Sequence, residues 1–443
     1  MTRPPASRGI RIFAIIWFGQ FLSLVGSGLT SFGLGVWVFQ TTGSITQYTL
    51  NAFFIVLPNI ILLPVAGAMV DRWGRRRAMI LSNCGAAFTS LVAAMLLLAG
   101  RLEIWQVYLI SFSRSCFSTF QIPAYSSLPT LLIPKRHFGR ASGMVQSAQA
   151  TAQIISPLLA SALIVTIHIQ GLILLDFVSF LLALGVLTVM RIPEYERPIE
   201  DDMGRGSLIR EAFDGWVYIR GRSGLLALLF YSAAVNLTVG ASQALFTPMV
   251  LSIASPQALG KVLSYGGIGL LTGSVVMSIW GGPKRRVLGI LGSGLLLGLS
   301  VMLAGLRPSI PLIAAGLFGM LFVVPILNGC AQAIWQSKTP PDLQGRVFAI
   351  RRMISWSTTP LAFLVAGPLA DRIFEPLLVV DGPLSESIGR IIGVGPGRGI
   401  GLMFIASGFL SLLAPVITYL YPRVRCVEDE LPDVVADKSL ARA

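Results

Sequence analysis

The sequence predicts an all-α membrane protein with twelve transmembrane helices, arranged as two pseudo-symmetric six-helix bundles. Three observations lead to this prediction. The chain of 443 residues is 54% hydrophobic and only 12% charged, which is about half the charged fraction of a soluble domain. Its apolar residues form twelve stretches of the length that a transmembrane helix needs, about 20 residues. The two halves also share a local pattern near their fifth apolar stretch.

The scarcity of charge excludes a soluble globule, because too few charged side chains are available to solvate a surface of that size. The net charge of +14 would favour nucleic-acid binding in a soluble protein. Here the basic residues lie between apolar stretches and indicate loops that face the cytoplasm and its anionic lipid. We therefore expect a multi-pass protein of the plasma (inner) membrane that contacts the lipid bilayer and no nucleic acid.

Each predicted span is an apolar stretch bounded by polar or basic residues. The spans are 12–39, 46–70, 78–99, 103–125, 140–166, 171–190, 224–252, 258–281, 286–305, 309–336, 345–372 and 398–421. They leave a tail over 1–11, a linker over 191–223 and a tail over 422–443, so the two bundles comprise 12–190 and 224–421.

The two longer polar segments have different predicted structures. The linker places Ile209, Phe213, Trp216 and Val217 on one face of a helix, which is typical of an amphipathic helix in the membrane interface. The C-terminal tail is polar and is predicted to be disordered.

The distribution of Lys and Arg sets the orientation. With the N-terminus in the cytoplasm, 27 of the 34 Lys and Arg residues lie on the cytoplasmic side and 6 on the opposite side, while Arg114 lies within a span. Arg351 and Arg352, near the start of the eleventh span, are counted among the 27. This bias is the positive-inside signal, so both termini are predicted to be cytoplasmic.

The hinge between the second and third spans, GAMVDRWGRRR at 67–77, concentrates charge between two apolar helices. Gly67 and Asp71 are four residues apart and share one helical face. An Asp at the C-terminal end of its own helix is unfavourably placed against that helix's dipole. We expect Asp71 to contact positive charge elsewhere, such as the N-terminus of a neighbouring helix.

The hinge fits the pattern G-x-x-x-D-R-x-G-R-R-[KR]. In addition, Gly-Arg pairs precede the fifth and eleventh spans at 139–140 and 345–346, and AGPLADR stands at 366–372. On these motifs the whole chain resembles the major facilitator superfamily, and within it the drug–proton antiporter branch of macrolide-efflux and enterobactin-export proteins. The resemblance implies a secondary transporter that exports a small amphiphile (a drug, macrolide-like molecule, siderophore or peptide-type metabolite) by proton-coupled alternating access.

The resemblance also implies a cytoplasmic latch in which Asp71 meets the start of the eleventh span. This latch would hold the outward-open state and release when the two bundles move. The predicted latch residues are Gly67, Asp71, Arg72, Gly74, Arg75, Arg76 and Arg346. The alternative is that the Arg residues only enforce topology and that Asp71 is a solvated turn residue.

Polar side chains recur at helical spacing on several spans and should face a cavity or a partner helix rather than lipid. Ordinary hydrogen bonding between helices is the alternative explanation. The predicted pathway residues are Gln20, Gln149, Gln153, Asn236, Gln243, Asn328 and Gln332, together with the ionisable Arg114 and Asp176.

The two ionisable pathway residues differ in depth. Arg114 lies about 15 Å from each membrane surface at 1.5 Å per residue, so it requires a partner and indicates a function. Asp176 is the one acidic residue clearly within a span, which makes it the candidate proton site; capping a helix or holding a structural Arg is the alternative. The scarcity of acids favours a neutral or anionic substrate over a multiply cationic one.

Three other functions are considered. An importer or facilitator of the same fold is one alternative. The sequence alone does not fix the direction of transport, because the coupling gradient sets it. A membrane-embedded enzyme is less favoured, since the two histidines, His137 and His168, are isolated and no nucleophile–base or metal constellation occurs. A channel is disfavoured because the sequence shows no ring of pore-lining charges. We expect a monomer without metal or cofactor, whose partners are a small-molecule substrate and protons.

Overall fold

The computed structural model describes residues 6–126, 128, 132–133, 138–190, 215–340 and 343–430, apart from some side chains within these ranges. The described residues form α-helices joined by short connections, and they include no β-strand. The predicted all-α fold is therefore confirmed.

Eleven long helices make up most of the described chain. They are α1 Ala6–Thr42, α2 Ile45–Trp73, α3 Arg75–Leu98, α4 Ile104–Ser126, α5 Phe138–Val189, α6 Ser223–Ile253, α7 Pro256–Trp280, α8 Arg286–Leu306, α9 Ile310–Lys338, α10 Gln344–Leu369 and α11 Arg398–Leu420. The helix α10 continues as a π-helical turn over Ala370–Phe374 and a short helix over Glu375–Leu377.

Among the described residues, ten helices are long and apolar enough to cross a membrane, so this criterion does not reproduce the predicted number of twelve. Two differences account for the lower number. The fourth predicted span, α4, is not among the ten; it carries Arg114 and several serines in its central part. The fifth and sixth predicted spans are both contained in α5.

The helix α5 consists of two helical segments that meet at His168. This residue has φ 54° and ψ −174°, a non-helical backbone conformation. Ala141 and Val145 near the start of α5 share a buried apolar cluster with Leu187 near its end. The chain therefore reverses direction at His168, within the boundary predicted between the fifth and sixth spans.

The helices group into two compact units. The first comprises Met1–Pro198, Ala244–Ser264 and Ala366–Asp371, and the second comprises Ile199–Gln243, Tyr265–Val365 and Arg372–Ala443. The division into bundles over 12–190 and 224–421 stays a prediction, because two segments of the later half pack within the first unit. For example, Gly260 packs against Ser161 and Gly367 packs against Thr49.

Glycines spaced seven residues apart let α1 pack closely against the second segment of α5 in the first unit. A Cβ atom built on Gly26 would lie 3.0 Å from the Cα atom of Asp176, and one built on Gly33 would lie 3.1 Å from the side chain of Leu172. Small residues at such seams allow close packing of membrane helices, where apolar burial gives no driving force.

In the second unit, α8 packs between α9 and α11. Gly298 and Gly305 of α8 face backbone carbonyls of α11, and Gly316 of α9 packs against Ala304 of α8. The same use of small residues therefore recurs in both units.

Two carboxylates cap helices in the second unit. Glu428 accepts hydrogen bonds from the backbone N–H groups of Arg286 (3.0 Å) and Val287 (3.1 Å) at the start of α8. Glu375 accepts one from Ile400 (3.0 Å) in the first turn of α11. Each carboxylate satisfies amides that lack a partner within their helix and interacts favourably with the helix dipole.

The polar segments differ from prediction in part. Residues 422–425 and 427–430 form short helices, so the prediction of disorder is wrong there: Val424 and Val427 are buried and Glu428 caps α8. Residues 431–443 lie outside the described residues, as do Ile209 and Phe213 of the linker. Its last part, 215–220, is helical.

We predict that the glycine seam of α1 determines stability. Gly26→Val should lower the free energy of unfolding by about 1–3 kcal/mol, because the added side chain overpacks the contact with α5. Gly185→Val is the matched control, since a Cβ on Gly185 meets no atom within 4 Å. Thermal unfolding of both variants in detergent measures the difference. Equal unfolding midpoints would show that the seam is not tightly packed.

Candidate functional site

A cavity of about 580 Å³ lies within the second unit and is lined by residues of α6, α9 and α10. Its lining combines polar groups with valine, leucine and aromatic side chains. The lining residues are Ser232, Val235, Asn236, Val239, Val324, Leu327, Asn328, Gly329, Ala331, Gln332, Phe348, Arg351, Arg352, Ser355 and Trp356.

Three predicted pathway residues meet in this cavity. Asn236 comes from α6, whereas Asn328 and Gln332 come from successive turns of α9. Gln243, two turns further along α6 than Asn236, is exposed and does not line the cavity. The polar stripe on α9 therefore borders a cavity, and the stripe on α6 does so only in its first part.

The sequence analysis missed two cavity residues, Arg351 and Arg352. It counted them as cytoplasmic loop charges, although they lie about two turns inside α10. Arg351 Nη1 donates a hydrogen bond to Oε1 of Gln332 at 2.9 Å. Arg351 is partly buried and Arg352 is exposed. Their position within the predicted eleventh span was a signal of a role beyond topology, because charged residues within spans are rarely topological.

The first unit contains a buried ion pair between the two ionisable pathway residues. Arg114 Nη1 of α4 lies 2.6 Å from Asp176 Oδ2 of α5. The same carboxylate oxygen accepts hydrogen bonds from the hydroxyls of Thr30 on α1 and Ser90 on α3, both at 2.9 Å. One carboxylate thus connects four helical segments.

Burial makes this ion pair important for the fold. The Asp176 side chain is fully buried and that of Arg114 is 13% exposed. The Arg114 guanidinium also lies 5.5 Å from the ring centroid of Phe180. Each charge would be strongly destabilising in this environment without the other. The partner that Arg114 needs is therefore Asp176.

The remaining pathway residues of the first unit are not collected at one place. Gln20 is buried and accepts a hydrogen bond from Nε2 of Gln121. Gln149 and Gln153 are exposed on the first segment of α5. These two glutamines share one helical face, and they form no hydrogen bond with the described residues.

The hinge between α2 and α3 is built around Gly74, which has φ 85° and separates the two helices. Arg76 donates hydrogen bonds to the carbonyls of Leu187 (3.1 Å) and Thr188 (2.9 Å) at the end of α5. Such contacts satisfy carbonyls that lack a partner within their helix. Arg76 therefore anchors the hinge to α5.

The other predicted latch residues give less information. Arg72 is exposed and Arg75 is partly buried, as is Arg346 in the first turn of α10. The surroundings of Gly67 and the side chain of Asp71 lie outside what the structure describes. The cytoplasmic latch stays a prediction.

The sequence analysis also missed the capping of α2 by Asp371. The carboxylate of Asp371 accepts hydrogen bonds from Ser44 Oγ (2.8 Å), Ile45 N (3.1 Å) and Thr46 N (2.8 Å). Ser44 is itself the N-cap residue of α2. The motif AGPLADR, noted for its family resemblance, contains this aspartate, but its partner is far away in the sequence.

Comparison with known proteins identifies the family. The model of the Major Facilitator Superfamily matches residues 16–363. The chain belongs to this superfamily. The family resemblance predicted from the hinge and the Gly-Arg pairs is confirmed, and the protein is a multi-pass membrane transporter rather than an enzyme.

Several named relatives are similar over most of this transporter's length. Macrolide efflux protein A of Streptococcus pyogenes is 27% identical over 375 residues, which cover 82% of this chain and 90% of the relative. The multidrug efflux pump Tap of Mycolicibacterium fortuitum is 22% identical over 423 residues, which cover 93% of this chain and 96% of the relative.

A solved structure agrees with this transporter in fold. It is a bacterial homolog of the human lysosomal transporter Spinster, in an inward-facing and unoccupied conformation, and it superposes with a TM-score of 0.71 at 13% identity. The match covers 98% of this chain and all of the other. At this identity the similarity establishes the fold alone.

We predict that removing one partner of the transporter's buried ion pair destabilises the first unit. Asp176→Asn should lower the free energy of unfolding by about 3–5 kcal/mol, because it leaves the charge of Arg114 buried without a carboxylate. The double variant Arg114→Gln/Asp176→Asn should recover most of this loss. Chemical unfolding in detergent measures all three proteins.

Asp381→Asn serves as the control for removing a carboxylate, since Asp381 is exposed. If Asp176→Asn unfolds like the wild type, the ion pair does not contribute to stability.

Proposed function

We propose that this transporter exports a small amphiphilic molecule from the cell in exchange for protons, by alternating access. The substrate would be a drug, a macrolide-like molecule, a siderophore or a peptide-type metabolite. In this proposal the protein is a monomer in the plasma (inner) membrane with both termini in the cytoplasm, as the distribution of Lys and Arg predicts.

The observation that carries the proposal is the cavity of the second unit. Its volume of about 580 Å³ lies within the range of pockets that hold drug-sized ligands, about 300–1,000 Å³. Apolar residues and a few polar side chains line it together, which suits an amphiphile. The names of two relatives, a macrolide efflux protein and a multidrug efflux pump, support export as the direction.

The ion pair of Arg114 and Asp176 is the proposed proton site. A proton taken up by Asp176 would neutralise the carboxylate and remove the attraction that holds Arg114. Thr30 and Ser90 could then reorient, because a hydroxyl both donates and accepts hydrogen bonds. Since the carboxylate connects α1, α3, α4 and α5, its protonation would loosen contacts between these helices.

Two aspartates are the proposed gates at opposite ends of the pathway. Asp71 at the end of α2 would hold the cytoplasmic end closed by contacting the start of α10, as the sequence predicts. Asp371, just after α10, caps the start of α2 and would hold the extracellular end closed. Each carboxylate would interact with the positive end of a helix dipole.

Export in exchange for protons is tested with inside-out membrane vesicles. Respiration should drive accumulation of a labelled substrate, and an uncoupler should abolish it. A labelled macrolide and a labelled carboxylate amphiphile are compared as substrates. The double variant Arg114→Gln/Asp176→Asn should retain exchange of substrate for substrate and lose accumulation driven by the proton gradient.

Three outcomes would contradict parts of this proposal. Accumulation that persists with uncoupler rules out proton antiport. Accumulation in right-side-out vesicles instead shows an importer of the same fold. Gradient-driven accumulation by the double variant removes the ion pair from coupling.

The gates are tested by cysteine labelling from outside the cell. Thr49 is 1% exposed and packs against Gly367, close to the Asp371 contact. In a protein whose four native cysteines are replaced by serine, labelling of Thr49→Cys therefore reports opening of the extracellular end. Asp371→Asn should increase the labelling rate up to several-fold, because it removes the negative charge beside the start of α2, whose interaction with the helix dipole is worth about 0.3–1 kcal/mol. Asp71→Asn should decrease it.

Glu103→Gln is the control for this measurement, because Glu103 is an exposed carboxylate on the same predicted side of the membrane. Labelling changes of the same sign in Asp71→Asn and Asp371→Asn would exclude two opposed gates.

A further inference from the structure

We propose that the cavity of the second unit binds the carboxylate of its amphiphilic substrate through the guanidinium groups of Arg351 and Arg352. This inference rests on the proposed function and names the chemical class of the substrate's head group: a carboxylate, rather than a cation or a neutral group.

The charge of the cavity supports an anionic ligand. Arg351 and Arg352 are the ionisable residues among those that line it, and none of the lining residues carries a carboxylate. The other polar side chains are amides and hydroxyls, such as Asn236 and Ser355. The two arginines would repel a cationic head group and would compensate the charge of an anionic one.

The two arginines are held in place without being neutralised. The guanidinium of Arg351 lies 5.3 Å from the ring centroid of Trp335, and that of Arg352 lies 4.8 Å from the ring of Trp356. These cation–π contacts orient the guanidinium planes and leave their charge available. Among the described residues, no carboxylate forms a salt bridge with Arg351 or Arg352.

The hydrogen-bonding capacity of Arg351 is also incompletely used. Gln332 accepts one hydrogen bond from Nη1, whereas a guanidinium has five N–H donors. The geometry of a guanidinium matches a carboxylate with two parallel hydrogen bonds. An arginine within a membrane helix is unfavourable without a partner, and binding an anion is a function that explains its presence.

The apolar residues of the cavity lining suit the apolar part of the ligand. Val235 and Val239 of α6 face the cavity together with Val324, Leu327 and the ring of Phe348. A ligand with a carboxylate at one end and an apolar body at the other would satisfy both kinds of lining residue. Arg351 and Arg352 would then determine specificity for the head group.

The proposal is tested by equilibrium binding to the purified full-length protein in nanodiscs of zwitterionic lipid. Three probes share one fluorophore and differ in charge: dansyl-leucine carries a carboxylate, dansyl-leucinamide is neutral and dansylcadaverine is a cation. Energy transfer from tryptophan to dansyl reports binding. Dansyl-leucine should bind about tenfold more tightly than its amide, because charge-assisted bidentate hydrogen bonds are the stronger ones.

Variants assign this preference to the arginines. Arg351→Gln should abolish it, Arg352→Gln should reduce it, and Arg351→Lys should retain part of it, since lysine keeps the charge without the fork. Lys284→Gln removes one exposed positive charge of the same unit and should leave the preference unchanged. Unfolding midpoints confirm that each variant is folded; if Arg351→Gln unfolds, Arg351→Lys carries the comparison.

Several results would overturn the proposal. These are equal affinity for the three probes, tighter binding of the cation, or a preference that survives both glutamine variants. Loss of the preference when phosphatidylglycerol is added would assign the site to a lipid phosphate instead. Because binding is measured without a gradient, failure of export would leave this result interpretable.

Discussion

The structure depends on one constraint: a charge within an apolar helix must find a partner, because no water is available inside the bilayer to solvate it. The ion pair between Arg114 and Asp176 shows the consequence. It draws in hydroxyls from two further helices, so satisfying one charge fixes four helical segments. The close approach of α1 at Gly26 brings Thr30, one turn further along, to the same carboxylate.

The same constraint explains where the few other carboxylates lie. Asp371, Glu375 and Glu428 each accept hydrogen bonds from the first turn of a helix, at α2, α11 and α8 respectively. The amides at a helix start have no partner in their own helix, and an anion satisfies them while interacting with the dipole. These acids therefore serve the helices, and the cavity is left with amides, aromatic rings and two arginines. Its positive charge is the basis of the proposed preference for a carboxylate.

Much of the fold could be predicted from the sequence because apolar stretches and their basic borders are local properties. The helices begin and end near the predicted limits, and the reversal at His168 lies at a predicted boundary. The errors also have physical causes. The polar residues of α4 weaken its apolar character because they serve the ion pair. The tail over 422–430 folds because Glu428 reaches the start of α8, a contact that composition does not reveal.

For the candidate site, the sequence by itself determined which residues are unfavourable to bury without a partner. It singled out Arg114, Asp176 and the amides of α9 as polar groups that needed partners. Only the tertiary structure decided which partners they have, that Asn236 meets Asn328 in one cavity, and that Arg351 belongs there. The physical reason is that helices in a membrane associate through small-residue seams and close packing. These seams fix the rotation and register of each helix, and the hydrophobic pattern leaves both undetermined.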